Sequence, residues 1–446
     1  MASPQIFTPR EMIEKLVSFD TTSHLSNLAL IEFVESYLAS HGVSSLRVMN
    51  EDGTKANLFA TLGDEAAPGG IVLSGHTDVV PVEGQDWSSD PFSIVEKDGK
   101  LFGRGTSDMK SFIAVALAHV PAFLKGGPKM PVHLALSYDE EVGCLGVRPM
   151  IESIVRTMPR PQVVIVGEPS SMKVVNAHKG IQSYNTKVTG LEFHSSQTHL
   201  GVSAIQYAAE LISFLMTLAA EMRERGDASG RFSPPYTTIN VGTIRGGTAL
   251  NIIAKSCSFL WEYRSLPDAD PSEIITRFNA YAEEEVLPRM RAVFPGAKIE
   301  TVARAQSPGL AALDGDPGET LVMKLAQCNS AEAVSYNTEA GLFQLADIPT
   351  VVCGPGDIAQ AHKPDEFIEL SQIAECETFM GRLAGFVSGR GGRSRVFRLE
   401  RPNGFRFAPR RVAEPRKRLS PRGKTPRRLN PGAVPRACRA GYRESA

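Results

Sequence analysis

The sequence predicts an α/β fold: a mostly parallel sheet covered by helices, with a smaller α+β domain of βαββαβ order inserted into it. Three observations carry this prediction. Short apolar, β-rich runs alternate with stretches of helical spacing over the first 180 residues. After Gly180 the texture changes to six elements in the order β-α-β-β-α-β. The first texture returns from about residue 306. The expected divisions are therefore 1–180, an inserted 181–305, a return over 306–388, and a tail over 389–446.

Residues 9–40 place Met12, Ile13, Leu16, Val17 and then Leu28, Leu30, Ile31, Val34, Leu38 at helical spacing. Strands are predicted over 57–62 and 71–74. A helix capped by Ser107 or Asp108 is expected to run to about Phe123. Two further strands are predicted over 132–137 and 163–166. In the inserted part, strands are expected over 182–189, 237–244, 256–263 and 298–304, with helices over 203–222 and 271–289. The return brings a helix around 321–328, a strand over 349–353 and a last helix to about Phe386.

The 446 residues carry a formal net charge of −1, with 42% hydrophobic and 22% charged residues. That composition excludes collagenous, wholly disordered and disulfide-scaffold classes. The near-zero charge is a cancellation. The tail over 389–446 holds 18 Lys and Arg against three Asp and Glu, a net of +15, and the rest of the chain has a net of −16. No run reaches the roughly 18 apolar residues of a membrane helix, and residues 1–20 lack the apolar stretch of a secretory signal. Six scattered cysteines without a CxxC pair read as reduced thiols of a cytoplasmic protein.

In a doubly wound sheet, ligands gather at the carboxyl ends of the strands. Several predicted strands end there in histidine or acid. The strings are Gly75-His76-Thr77-Asp78, Tyr138-Asp139-Glu140-Glu141 and Gly167-Glu168-Pro169. Gly103-Arg104-Gly105-Thr106-Ser107-Asp108 opens a helix, and Gln360-Ala361-His362-Lys363-Pro364 follows the last strand. Each string alone has an ordinary structural reading, such as a helix cap or a solvated turn. Two histidines and at least four carboxylates converging would repel one another and lose solvation unless cations compensate. Imidazole with carboxylate suits Zn²⁺ or a similar divalent ion, and paired ions of this kind serve hydrolysis. Neighbouring Glu140 and Glu141 cannot both face one point, so one can bind metal while the other acts as a base. In His76-x-Asp78 the carboxylate can accept the second ring N–H of the histidine.

These strings, in this order, resemble the co-catalytic zinc aminoacylase and carboxypeptidase family over about residues 7–382. The matching strings are Ser74-Gly75-His76-Thr77-Asp78-Val79-Val80-Pro81, Gly103 to Lys110, Asp139-Glu140-Glu141-Val142-Gly143 and Gly167-Glu168-Pro169. The resemblance implies two divalent ions, zinc foremost with cobalt an accepted substitute. It assigns His76, Asp108 and Glu168 to one ion and Asp108, Glu141 and His362 to the other. It further implies Glu140 as general base and Asp78 as the residue orienting His76. The inserted part becomes a lid and dimerisation domain, so the chain is expected to form a homodimer through it. In Gly190-x-x-x-His194-Ser195-Ser196, His194 would stabilise the oxyanion in the partner's site. Gly246-Gly247-Thr248-Ala249-Leu250-Asn251 and Glu262-Tyr263-Arg264 would contact substrate, with Asn251 on an oxygen and Arg264 on a carboxylate.

Within the family, Gly167 to Gly180, Thr338-Glu339-Ala340-Gly341-Leu342-Phe343-Gln344 and Ala361-His362-Lys363-Pro364-Asp365-Glu366 resemble the members that deacetylate N2-acetyl-L-ornithine in arginine biosynthesis. Two positions depart from that pattern: Asn337 replaces the usual Gly, and Ile253-Ala254 replaces Val-Pro. The same chemistry on another N-acyl amino acid, or on succinyl-diaminopimelate, stays open. His24, His41, His119 and His133 read as surface or packing residues, and His199 as part of the loop after His194. His178 reads equally well as structural or substrate-adjacent. The basic tail is too poor in apolar residues for a core, and disorder is expected. Its functional reading is an arm for nucleic acid or another anionic surface, with too few aromatics for stacking readout; the alternative is a segment without function, such as the product of a shifted reading frame. No membrane partner is expected.

Overall fold

The structure, a computed structural model, describes residues 4–389. Apart from Gly389, the predicted basic tail lies outside the described residues.

Eight strands form the main sheet, in the spatial order Ser45–Met49, Ala56–Leu62, Val132–Ser137, Ile71–His76, Val163–Pro169, Thr350–Gly354, Val175–His178, Glu332–Val334. The pairings of Ile71–His76 with both neighbours, and of Thr350–Gly354 with Val163–Pro169, are parallel. Ala56–Leu62 runs antiparallel to both Ser45–Met49 and Val132–Ser137. The central strands are mostly apolar and completely buried on both faces, as a sheet covered by helices requires. One face packs on Pro9–Val17, Leu28–Ser40, Lys110–Ala118 and Leu370–Val387; the other packs on Val147–Thr157 and Ala340–Leu345.

The helix expected from residue 107 or 108 begins later. Lys110–Ala118 follows Met109, and no side chain caps it. The correction has a cause: the Asp108 carboxylate turns away to face two histidines. A second helix, Val120–Leu124, then starts with Pro121 in its first turn, where a missing N–H costs nothing.

A separate four-stranded antiparallel sheet has the order Thr238–Gly246, Ser256–Ser265, Gly180–Thr189, Lys298–Ser307. Burial alternates along Gly180–Thr189 and Ser256–Ser265, so one face is covered and the other open. Helix Ala204–Arg225 supplies Ala208, Leu211, Leu215, Leu218 and Met222 to that core. The expected single helix over 271–289 is instead Glu273–Tyr281, a wide turn over Ala282–Val286, and Leu287–Val293. Pro288 has no N–H to continue the ladder.

The backbone enters this sheet at Lys179-Gly180 and leaves it at Ser307-Pro308-Gly309. The two crossings touch: His178 and Leu310 exchange backbone hydrogen bonds. A Cβ on Gly180 would sit 2.8 Å from the Gly309 nitrogen, and one on Gly309 would sit 2.8 Å from the His178 oxygen. Glycine is needed here for close backbone approach.

Candidate metal centre

Strand ends deliver the cluster. Ile71–His76 ends in His76, and Val163–Pro169 carries Glu168 at its end. Val132–Ser137 runs into Glu140 and Glu141. Asp108 lies just ahead of Lys110–Ala118, and its peptide to Met109 is cis. His362 follows Thr350–Gly354 after a short turn, with a left-handed backbone.

The Asp108 carboxylate faces two ways. Its Oδ1 lies 3.0 Å from His76 Nε2, and its Oδ2 lies 3.4 Å from His362 Nε2. Glu168 Oε1 is 3.6 Å from His76 Nε2, and Glu141 Oε2 is 3.1 Å from His362 Nε2. His76, Asp108 and Glu168 form one potential ligand set, with Asp108, Glu141 and His362 as the other. Within each set the ligand atoms lie within 4.8 Å of one another. Two sets sharing one carboxylate fit a pair of divalent ions, and the oxygen and imidazole donors suit zinc-like cations. His362 is the solvent-exposed member; His76, Asp108 and Glu168 are buried.

The electrostatics show what this crowding costs without cations. Burial would raise Asp108, yet hydrogen bonds from His362 and His76 hold it well below the usual carboxylate range. Burial opposes charge on His76, but the Asp108 bond and surrounding carboxylates raise it above an ordinary histidine. Hydrogen bonds to Asp108 and Glu141 push His362 up to about 10. Burial and the neighbouring Asp108 raise both Glu141 and Glu168. Burial lifts Glu140 to about 8, where it can take up and release a proton near neutral pH.

Residues around the ligands fix their directions. His76 Nδ1 lies 2.9 Å from the backbone oxygen of Asp78 and 3.7 Å from its carboxylate. The carbonyl, not the expected carboxylate, therefore sets the tautomer. The Asp78 carboxylate instead accepts from Ser23 Oγ and from the backbone N–H groups of Glu140 and Glu141, so it positions the adjacent pair of acids. Two further acids, Glu339 and Glu366, shape the surroundings of the site. Glu366 accepts from Arg104 and from the N–H groups of Gly105, Ser107 and Asp108. Glu339 accepts from Ser74 and Ser137, near the ends of neighbouring strands. Both partnerships span more than 200 positions, and no local spacing could reveal them.

His194, Asn251 and Arg264 belong to the four-stranded unit. His194 and Asn251 are exposed, with His194 Nδ1 bonded to Ser196 Oγ and Arg264 Nε donating to Glu262. Among the described residues, no hydrogen bond or ion pair joins them to the acid–histidine cluster. His178 is a structural residue: it is buried between the Lys179 carbonyl and the Thr338 hydroxyl, and burial holds it down to about 4. His133 is also buried, bonded to Thr61.

Residues 72–385 match the family described as "Peptidase family M20/M25/M40". The chain belongs to that family. It is similar to an acetylornithine deacetylase of Proteus mirabilis, at 35% identity over 82% of this chain and 91% of the relative. One of Pasteurella multocida is 34% identical over 85% of this chain and 98% of the relative. The fold is that of other M20 proteins. A metallo-carboxypeptidase of Sulfolobus solfataricus gives a TM-score of 0.66 at 18% identity, covering 85% of this chain and 99% of that one. A dinuclear metal-binding peptidase of Bacillus subtilis gives 0.59 at 15% identity, covering 85% and 98%. The chain is thus a metal-dependent amide hydrolase of M20 type, and no described helix is long and apolar enough to cross a membrane.

Proposed function

We propose that the chain hydrolyses N2-acetyl-L-ornithine to L-ornithine and acetate, a step of arginine biosynthesis. One observation carries this reading. Two ligand sets share Asp108, with Glu140 directly before the ligand Glu141, in a chain about 34–35% identical to acetylornithine deacetylases along most of its length.

His76, Asp108 and Glu168 would hold one divalent ion, and Asp108, Glu141 and His362 the other. Zinc is the first choice and cobalt a working substitute. When bound, the ions supply Lewis-acid polarisation of the amide carbonyl and lower the pKa of a water. Glu140 takes a proton from the attacking water and delivers it to the amine as the C–N bond breaks. Asp78 holds Glu140 and Glu141 by their backbone N–H groups and His76 by its own carbonyl. Arg264 suits the substrate carboxylate as a planar clamp. Asn251 suits a substrate oxygen, and His194 the developing oxyanion.

His194 and Asn251 are exposed, in keeping with a catalytic unit (1–180 and 306–388) and an inserted lid (181–305) that completes the site in a homodimer. The open edge strand Thr238–Gly246 and exposed Ile244, Leu250 and Ile252 support pairing through that lid. Unpaired cysteines, four of the five described being buried, fit the cytoplasm.

The test is release of the acyl acid (acetate from N-acetyl substrates, succinate from succinyl-diaminopimelate) by purified, Zn²⁺- or Co²⁺-loaded protein. Acetylornithine should be preferred over other N-acetyl amino acids and over succinyl-diaminopimelate. A higher kcat/KM on any of those overturns the substrate assignment.

A further inference from the structure

We propose that Asn337 is a positioning residue for the hydrolysis, clasping both crossings of the four-stranded unit to the loop that carries Glu140. The inference rests on Glu140 as the base.

The Asn337 side-chain amide has two N–H donors, and both are used. Nδ2 lies 3.0 Å from the Lys179 oxygen and 3.2 Å from the Pro308 oxygen. Lys179 is the last residue before Gly180–Thr189, and Pro308 the first after Lys298–Ser307. One amide therefore holds the entrance and the exit together. With Nδ2 committed to two carbonyls, Oδ1 must face the other way, and it lies 3.8 Å from Cys144 Sγ. The thiol lies 3.1 Å from Glu140 Oε1 and has one proton to give, which goes to that closer carboxylate.

The loop bearing Glu140 also leans on the exit strand. A Cβ on Gly143 would come 2.4 Å from that of Ala305. Arg148 donates to the Gln306 carbonyl. Behind Asn337 there is no slack, since a Cβ on Gly341 would sit 2.3 Å from the Pro308 oxygen. Any swing of the four-stranded unit about its crossings must move the Lys179 and Pro308 carbonyls against Asn337, and through Cys144 against the base.

The experiment compares wild type with Asn337→Asp, Asn337→Gly and Cys144→Ala. Asn337→Asp keeps the size but turns an oxygen toward two carbonyls, so a filler role would leave it silent. Each Asn337 variant is expected to lower kcat about tenfold, as loss of a part-buried donor pair implies, with KM little changed and two metal ions retained. Backbone hydrogen exchange at 179–181 and 309–310 should quicken about tenfold in the same variants. Cys144→Ala should lower kcat, and the double variant should lose less than the product of the single losses. Unchanged exchange at both crossings overturns the clasp, and quickened exchange with wild-type kcat overturns the catalytic link. Multiplicative losses remove Cys144 from it. Exchange needs no substrate, so it judges the clasp even if acetylornithine proves not to be the substrate. Should Asn337→Gly fail to fold, Asn337→Asp decides.

Discussion

Glu140, half-buried, and Glu366, fully buried, differ in kind. Glu140 has a backbone fixed by Asp78 and a carboxylate free to exchange a proton. Glu140→Ala should lower kcat by about 10²- to 10⁴-fold, the usual worth of a positioned base, with two metal ions still bound. Near-normal turnover with full metal content would remove it from the chemistry. Glu366 is a fixed anion that gathers Arg104 and three backbone N–H groups around the turn leading into Asp108. Glu366→Gln leaves Arg104, itself buried, without its counter-charge. Removing one partner of a buried pair costs about 3 kcal/mol, so urea unfolding of the metal-free protein should show a loss of that order. A Gln variant as stable as wild type would mean that the N–H groups, not the ion pair, hold this turn.

At the level of elements, the central strands were legible because each is a short apolar run that ends abruptly in His or acid. The ligand strings could be read for the same reason: strand end and chemistry are adjacent in sequence. Strands Ser45–Met49, Val175–His178 and Glu332–Val334 were not read, being short or partly exposed and without a strong period. Helix Val147–Thr157 has no side-chain cap to announce it after the acidic string. The direction of the Asp78 carboxylate was misread because two-residue spacing predicts a shared strand face, whereas the chain leaves the strand at His76.

His133, the second residue of strand Val132–Ser137, gives an element-scale prediction. Burial holds it down to about 4, so it is neutral in the folded state and charges near its ordinary value when unfolded. The unfolded chain thus binds the extra proton, and stability falls as pH drops from about 6.5 toward about 4. From pH 7 to pH 5 the loss from this one group is about 2 kcal/mol. His133→Gln should narrow the stability gap between those two pH values by that amount in urea titrations. An unchanged gap would place the acid sensitivity elsewhere, His178 being the next group of this kind.

At the scale of the whole molecule, metal loading and protonation compete. Glu141, Glu168, His76 and His362 all hold protons more tightly than usual in the metal-free protein. Binding of two divalent ions at pH 7 should therefore release protons. Calorimetry in two buffers of different ionisation enthalpy should give different apparent heats, and equal heats would contradict the protonated cluster. The charge split supplies a second prediction. Among the described residues, every candidate ligand precedes Glu366 and the last core residue is Val387. A chain ending at Gly389 should therefore keep kcat within about twofold, a change well under 1 kcal/mol. A large loss would give the basic segment a part in catalysis, and salt-sensitive RNA retention lost on truncation would give it a separate one.

The bond from Glu366 back to the Gly105–Asp108 turn has a consequence for biosynthesis. His76 and Asp108 are made early, but His362 and the acid that organises Asp108 are made near the end of the enzyme portion. A ribosome-bound chain can lay down most of the main sheet and the whole four-stranded unit before either arrives. Capture of a second cation would therefore have to follow the making of His362. A nascent chain stalled ahead of residue 362 would carry half a centre, able to take up one ion with its bridging carboxylate unsupported.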